Sequence, residues 1–143
     1  MIKEKTNDLL KIIRSETRPE LVTKKKEFIS LLDQKIKLIK VIERVKKLII
    51  PASINEENNE KVIEALEKVI AGINKIKQIN LEQQKLSKGK LNILLKQETK
   101  IIEDLIENIE RGINPKAILN INEFSQYLEF LEKSSYMLEA MLK

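Results

Sequence analysis

The chain has 143 residues, 42% apolar and 34% charged, with a formal charge of +5, three Gly, three Pro, and neither Cys nor His. Those absences remove disulfides, thiolate nucleophiles, zinc fingers and histidine general bases, so a non-enzymatic protein without cofactor or metal is expected. The composition is that of long helices in one all-α domain spanning residues 1–143, and no apolar stretch is long enough for a signal-peptide core or a membrane span, which points to a cytoplasmic chain.

The first predicted helix covers residues 2–16, with Leu9, Leu10, Ile12 and Ile13 as its apolar face. Thr17-Arg18-Pro19-Glu20 then has capping-box spacing, with proline tolerated in a first turn. A second helix is predicted over 19–49. In it Phe28, Leu32, Ile36, Ile39, Ile42, Val45 and Ile49 recur every three or four residues, and Ile29, Leu31, Leu38, Val41 and Leu48 widen the stripe. A seam this broad suits a bundle better than a two-stranded coil. Pro51 stops it, because the residue before proline disfavours helix.

Ser53-Ile54-Asn55-Glu56 is a second capping box, and it opens the longest helical signal, residues 54–111. Val62, Leu66, Val69, Ile73 and Ile76 form the first half of its seam, and Leu91, Leu94, Ile101, Leu105 and Ile109 the second. Between them the same face carries Asn80, Gln83, Gln84 and Ser87, followed by Gly89. Unbroken, this helix would be about 85 Å long. A break near Ser87–Lys90 would make it a hairpin, but continuity is expected because one internal Gly costs only about 1 kcal/mol. The polar patch reads either as buried groups that fix helix register or as a solvated projection.

Gly112 and Pro115 terminate that helix, and Asn120-Ile121-Asn122-Glu123 caps a last one over 120–142. Its apolar side holds Ile121, Phe124, Leu128, Leu131, Leu138 and Met141, broadened by Tyr127, Phe130 and Met137. The whole predicts an elongated antiparallel helical bundle or coiled coil of three to five helices.

Charge is unevenly spread. Residues 1–50 carry a net +7, residues 51–90 a net +1 and residues 91–143 a net −3. A basic first part can lie against an acidic last part in a folded-back bundle, although screening keeps each surface pair weak. The lysine clusters Lys24-Lys25-Lys26, Lys46-Lys47 and Lys85/Lys88/Lys90 are interspersed with glutamates and accompany no recognition motif, so nucleic acid is disfavoured as a partner. Glu103, Glu107 and Glu110 share a helical face, but the histidines of a bundle di-iron site are missing and the face reads as solvated.

Phe124, Tyr127, Phe130 and Tyr136 gather in the last twenty residues with Met137 and Met141, whereas the preceding body has one aromatic, Phe28. Aromatic and Met side chains fill irregular surfaces. This helix is therefore either core or an exposed face that docks a partner helix. Phe124, Tyr127, Phe130, Leu131 and Met137 are the candidate client-binding residues. On the exposed reading, deleting residues 120–143 leaves a cooperatively folded body.

The stretch Ile73-Asn74-Lys75-Ile76-Lys77-Gln78-Ile79-Asn80-Leu81-Glu82-Gln83-Gln84-Lys85-Leu86 resembles the middle of FlgN-like flagellar export chaperones. Leu9-Leu10-Lys11-Ile12-Ile13 and Lys25-Lys26-Glu27-Phe28-Ile29-Ser30-Leu31-Leu32 are similar to that family's first helices, so the resemblance spans residues 5–111. It implies a cytosolic chaperone that keeps hook–filament junction subunits unassembled and delivers them to the type III export gate. It further implies client binding through the C-terminal region and gate recognition by a C-terminal tyrosine, for which Tyr127 and Tyr136 are the candidates. The capped, aromatic last helix departs from that family's pattern. The alternative is a structural coiled-coil adaptor that homo-oligomerises through the long helix, and either reading allows a homodimer.

Overall fold

The structure is a computed structural model and describes residues 2–16, 18–52, 59–113 and 121–142. Among them are five α-helices and no strand: α1 (Ile2–Glu16), α2 (Lys25–Ala52), α3 (Asn59–Lys85), α4 (Gly89–Ile113) and α5 (Ile121–Leu142). Helices α2 to α5 close a ring, with α2 against α3 and α5, α3 against α4, and α4 against α5. Side-chain pairs fix the directions. Lys77 meets Glu103 at 3.3 Å and Asn80 meets Thr99 at 3.3 Å, so α3 and α4 are antiparallel. Helix α1 lies outside the ring on α5 and, less extensively, on α4.

The apolar periodicity drives this arrangement. Phe28, Leu32, Ile39 and Ile42 of α2, Leu66, Ile73 and Ile76 of α3, and Leu91, Ile101, Leu105 and Ile109 of α4 are all buried in one core. Each large apolar side chain sealed there contributes roughly 1.5–3 kcal/mol. Helix α1 has a narrower stripe: Thr6, Leu9 and Ile13 are buried, while Leu10 and Ile12 are half-buried. That explains its place on the flank.

The expected continuous helix over 54–111 is not formed; the chain breaks at Leu86–Lys88 and folds into the α3–α4 hairpin. Gly89 takes φ +62°, a left-handed conformation that L side chains rarely adopt. The Asn92 side chain donates to Gln84 O at 2.7 Å, and Leu86 N bonds Gln83 O at 3.1 Å, so carbonyls at the end of α3 find partners locally. The deciding term is not local. Thr23 N donates to Leu86 O at 2.7 Å, Lys88 N donates to Leu21 O at 2.9 Å, and Val22 pairs antiparallel with Ser87. These bonds clasp the turn, and with the core seams of α3 and α4 they outweigh a modest gain in helix propensity. The seam expected to drive homo-oligomerisation is consumed inside one chain.

The same clasp corrects the start of the second helix. Pro19–Leu21 form one 3-10 turn, Val22 is extended, Lys24 takes φ 48°, and α2 begins at Lys25 rather than at Pro19. At its other end α2 runs to Ala52, so Pro51 does not stop it at Ile49 as predicted. The predicted caps at Ser53–Glu56 lie outside the described residues, as do Thr17, Asn120 and the Pro115 terminator.

One polar layer crosses the core and takes a residue from each helix of the ring. The Lys35 ammonium of α2 is ion-paired with Glu98 of α4 and donates to Gln83 Oε1 of α3 at 3.3 Å. Ser134 of α5 donates to Glu98 Oε2 at 3.0 Å. Glu98 Oε1 makes no hydrogen bond of good geometry and is covered by the ammonium alone. Lys35, Gln83 and Ser134 are fully buried and Glu98 is 2% exposed. Beside them Asn80 and Gln84 donate to Thr99 Oγ1 at 3.3 and 2.8 Å. The amide patch of α3 is therefore a buried layer that fixes register, not a solvated projection.

Candidate functional site

The aromatic helix α5 is the fourth member of the ring, and this decides the fate of the predicted client-binding face. Phe124, Tyr127, Phe130 and Leu131 are at most 5% exposed, so these four side chains do not form an exposed docking face. The reason is phase: Phe124, Leu128, Leu131, Leu138 and Leu142 fall on one side of α5 and complete the core. Met137 is half-buried at the edge of that core. Of the two tyrosines proposed for gate recognition, Tyr127 is buried and Tyr136 is 39% exposed.

What remains open is the seam between α1 and the outer side of α5. A cavity of about 220 Å³ is lined by Thr6, Asn7 and Leu10 of α1 and by Gln126, Glu129, Phe130 and Lys133 of α5. It is followed by a wider groove of about 590 Å³, lined by Asn7, Leu10, Lys11, Arg14, Lys133, Tyr136 and Met137. The lining residues of the two helices advance together, so α1 and α5 run in the same direction along a continuous furrow. From Thr6 to Arg14 this covers about 12 Å, roughly two helical turns.

The furrow changes character along its length. Its Thr6 end is lined by the Asn7 and Gln126 amides beside Thr6, with Glu129 paired to Lys133 at 2.6 Å. Its Arg14 end combines Leu10, Met137 and the Tyr136 ring with Lys11, Arg14 and Lys133, and no carboxylate lines that end. The arrangement suits non-covalent binding of an elongated segment with apolar and anionic groups. Among the described residues no group of three or more Asp, Glu, His or Cys is placed to hold a metal ion, and no helix is long and apolar enough to cross a membrane.

Sequence reasoning singled out Met137 and Tyr136, which line this furrow, but not Leu10, Lys11 and Arg14, because only the fold brings α1 beside α5. It also missed Lys35 and Glu98. Glu98 carried a signal, since it stands in the gap of its seam between Leu94 and Ile101; Lys35 adjoins Ile36, which already fills the seam between Leu32 and Ile39. Comparison with protein-family models, curated proteins and solved structures found no match.

Proposed function

We propose that this protein is a non-enzymatic, cytoplasmic export chaperone that holds an amphipathic helix of a client, a flagellar hook–filament junction subunit, in the furrow between α1 and α5. The observation that carries the reading is that α1, itself an amphipathic helix, already lies along α5 and leaves a second apolar seam beside it, floored by Leu10 and Met137. The helix resemblance at residues 5–111 supports the same class of protein. A junction subunit's assembly helix self-associates when free. Covering its apolar stripe stabilises the unassembled form by mass action. Tyr136, accessible at the mouth of the furrow, is the residue proposed for export-gate recognition.

Isothermal titration of the full chain with the terminal helices of junction proteins tests this. The expected result is measurable binding that weakens in Leu10→Ser and Met137→Ser. These replace Phe124→Ala and Phe130→Ala as probes, since those buried rings hold the core. Absence of heat with every junction helix, or binding unchanged by both variants, removes the reading.

A further inference from the structure

A different surface, the outer face of the α3–α4 hairpin, has its own character. Between Gln83 and Ile102 the chain holds five lysines and a single carboxylate, Glu98. Glu98 points inward and is neutralised by Lys35. The glutamate that interrupts the basic run in sequence is therefore removed from the surface, and Lys85, Lys90, Lys96 and Lys100 stand exposed. Among them are two exposed aliphatic side chains, Ile93 at 55% and Leu81 at 36%. Leu81 of α3 and Ile93 and Lys96 of α4 are all exposed, and the antiparallel register of Lys77 with Glu103 sets Leu81 and Ile93 roughly 9 Å apart along the hairpin. Three carboxylates border the face: Glu82, paired with Lys85 at 3.2 Å, Glu103, paired with Lys77 at 3.3 Å, and Asp8 of α1, which shares a groove with Lys100.

We propose that this face docks an acidic amphipathic segment of a partner protein, with its apolar side chains on Ile93 and Leu81 and its Asp or Glu side chains on the surrounding lysines. The charge is complementary only to an anionic partner, and the apolar centre selects among anions. Covering Ile93 and Leu81 removes apolar surface from water, which a phosphate backbone does not do. An apolar centre with a charged rim is the anatomy of a protein interface, in which the rim steers encounter and the centre holds the complex. Nothing in this surface offers an aromatic ring for stacking a base. The surface is separate from the α1–α5 furrow and does not depend on the chaperone reading.

The test uses the full chain and a labelled peptide of about 18 residues with Leu at helical spacing and Glu elsewhere, followed by fluorescence anisotropy. A counterpart with Lys in place of Glu, an oligodeoxythymidine and phosphatidylglycerol vesicles serve as competitors. The expected result is binding of the Glu peptide that weakens with salt. It should fall about tenfold or more in Leu81→Ser/Ile93→Ser and in Lys85→Glu/Lys90→Glu/Lys96→Glu. It should persist in Leu10→Ser/Tyr136→Ala, which strips the furrow. All these positions are exposed or half-buried, and a thermal melt of each variant checks the fold. No binding, equal binding of the Lys peptide, or loss on stripping the furrow overturns the proposal. So does displacement by the oligonucleotide or vesicles together with indifference to the serine variants.

Discussion

Replacing Lys35 by Met removes the cation from the centre of the bundle without changing the length of the side chain much. Glu98 is then left 2% exposed, with Ser134 as its remaining hydrogen-bond donor and Oε1 uncovered. Removing one partner of a buried pair costs about 3–5 kcal/mol. Domains of this size are stable by about 5–15 kcal/mol, so the loss is about a fifth or more of the total. At roughly 3 °C per kcal/mol the melting temperature falls by about 10–15 °C. Glu98→Leu strands the ammonium instead, with Gln83 Oε1 as its acceptor at 3.3 Å. The long lysine stem can turn toward water, so this variant loses less. The double variant Lys35→Met/Glu98→Leu fills the layer with apolar atoms and regains most of the stability, because a buried ion pair and a packed apolar pair are close in free energy. Urea titrations followed by far-UV circular dichroism give the four corners of the cycle. Additive single effects, or a Lys35→Met loss below about 1 kcal/mol, would refute the claim that the two charges meet inside the core.

The two described central glycines should respond in opposite directions. Gly89→Ala places a side chain at φ +62° with Cβ 3.2 Å from Leu21 Cδ2, and should cost about 1–2 kcal/mol in a thermal melt. Gly72→Ala meets Ile42 only at 3.5 Å inside α3, and should raise stability by about 0.5–1 kcal/mol. The aromatics of α5 should separate by burial: Phe130→Ala costs about 3–5 kcal/mol, whereas Tyr136→Ala stays within about 0.5 kcal/mol in the same assay. Deleting residues 120–143 should abolish cooperative unfolding, since Phe124, Leu128, Leu131 and Leu138 close the core; a truncated chain that melts sharply contradicts the four-helix ring.

The seams of α2, α4 and α5 were legible because their spacing alone selects a helix and its buried side. Phe28, Leu32, Ile39 and Ile42 are buried where periodicity puts them. The turn at Leu86–Lys88 was not legible from propensity, because a glycine's local cost is small and the bonds from Leu21 and Thr23 come from more than sixty residues away. Those same bonds turned an apparent helix start at Pro19 into a clasp. The candidate site failed in the sequence for a related reason. Phe124 and Leu131 share the phase of a core seam, and concentration of aromatics at one end says nothing about whether a fourth helix is needed to close the ring. Leu10 and Tyr136 became neighbours only through the docking of α1.

The most direct test of the central claim is hydrogen–deuterium exchange of the full chain with and without a saturating junction-protein helix. Binding in the furrow predicts new protection confined to residues 6–14 of α1 and 126–137 of α5. Protection elsewhere on the bundle, or none in these two segments, contradicts it.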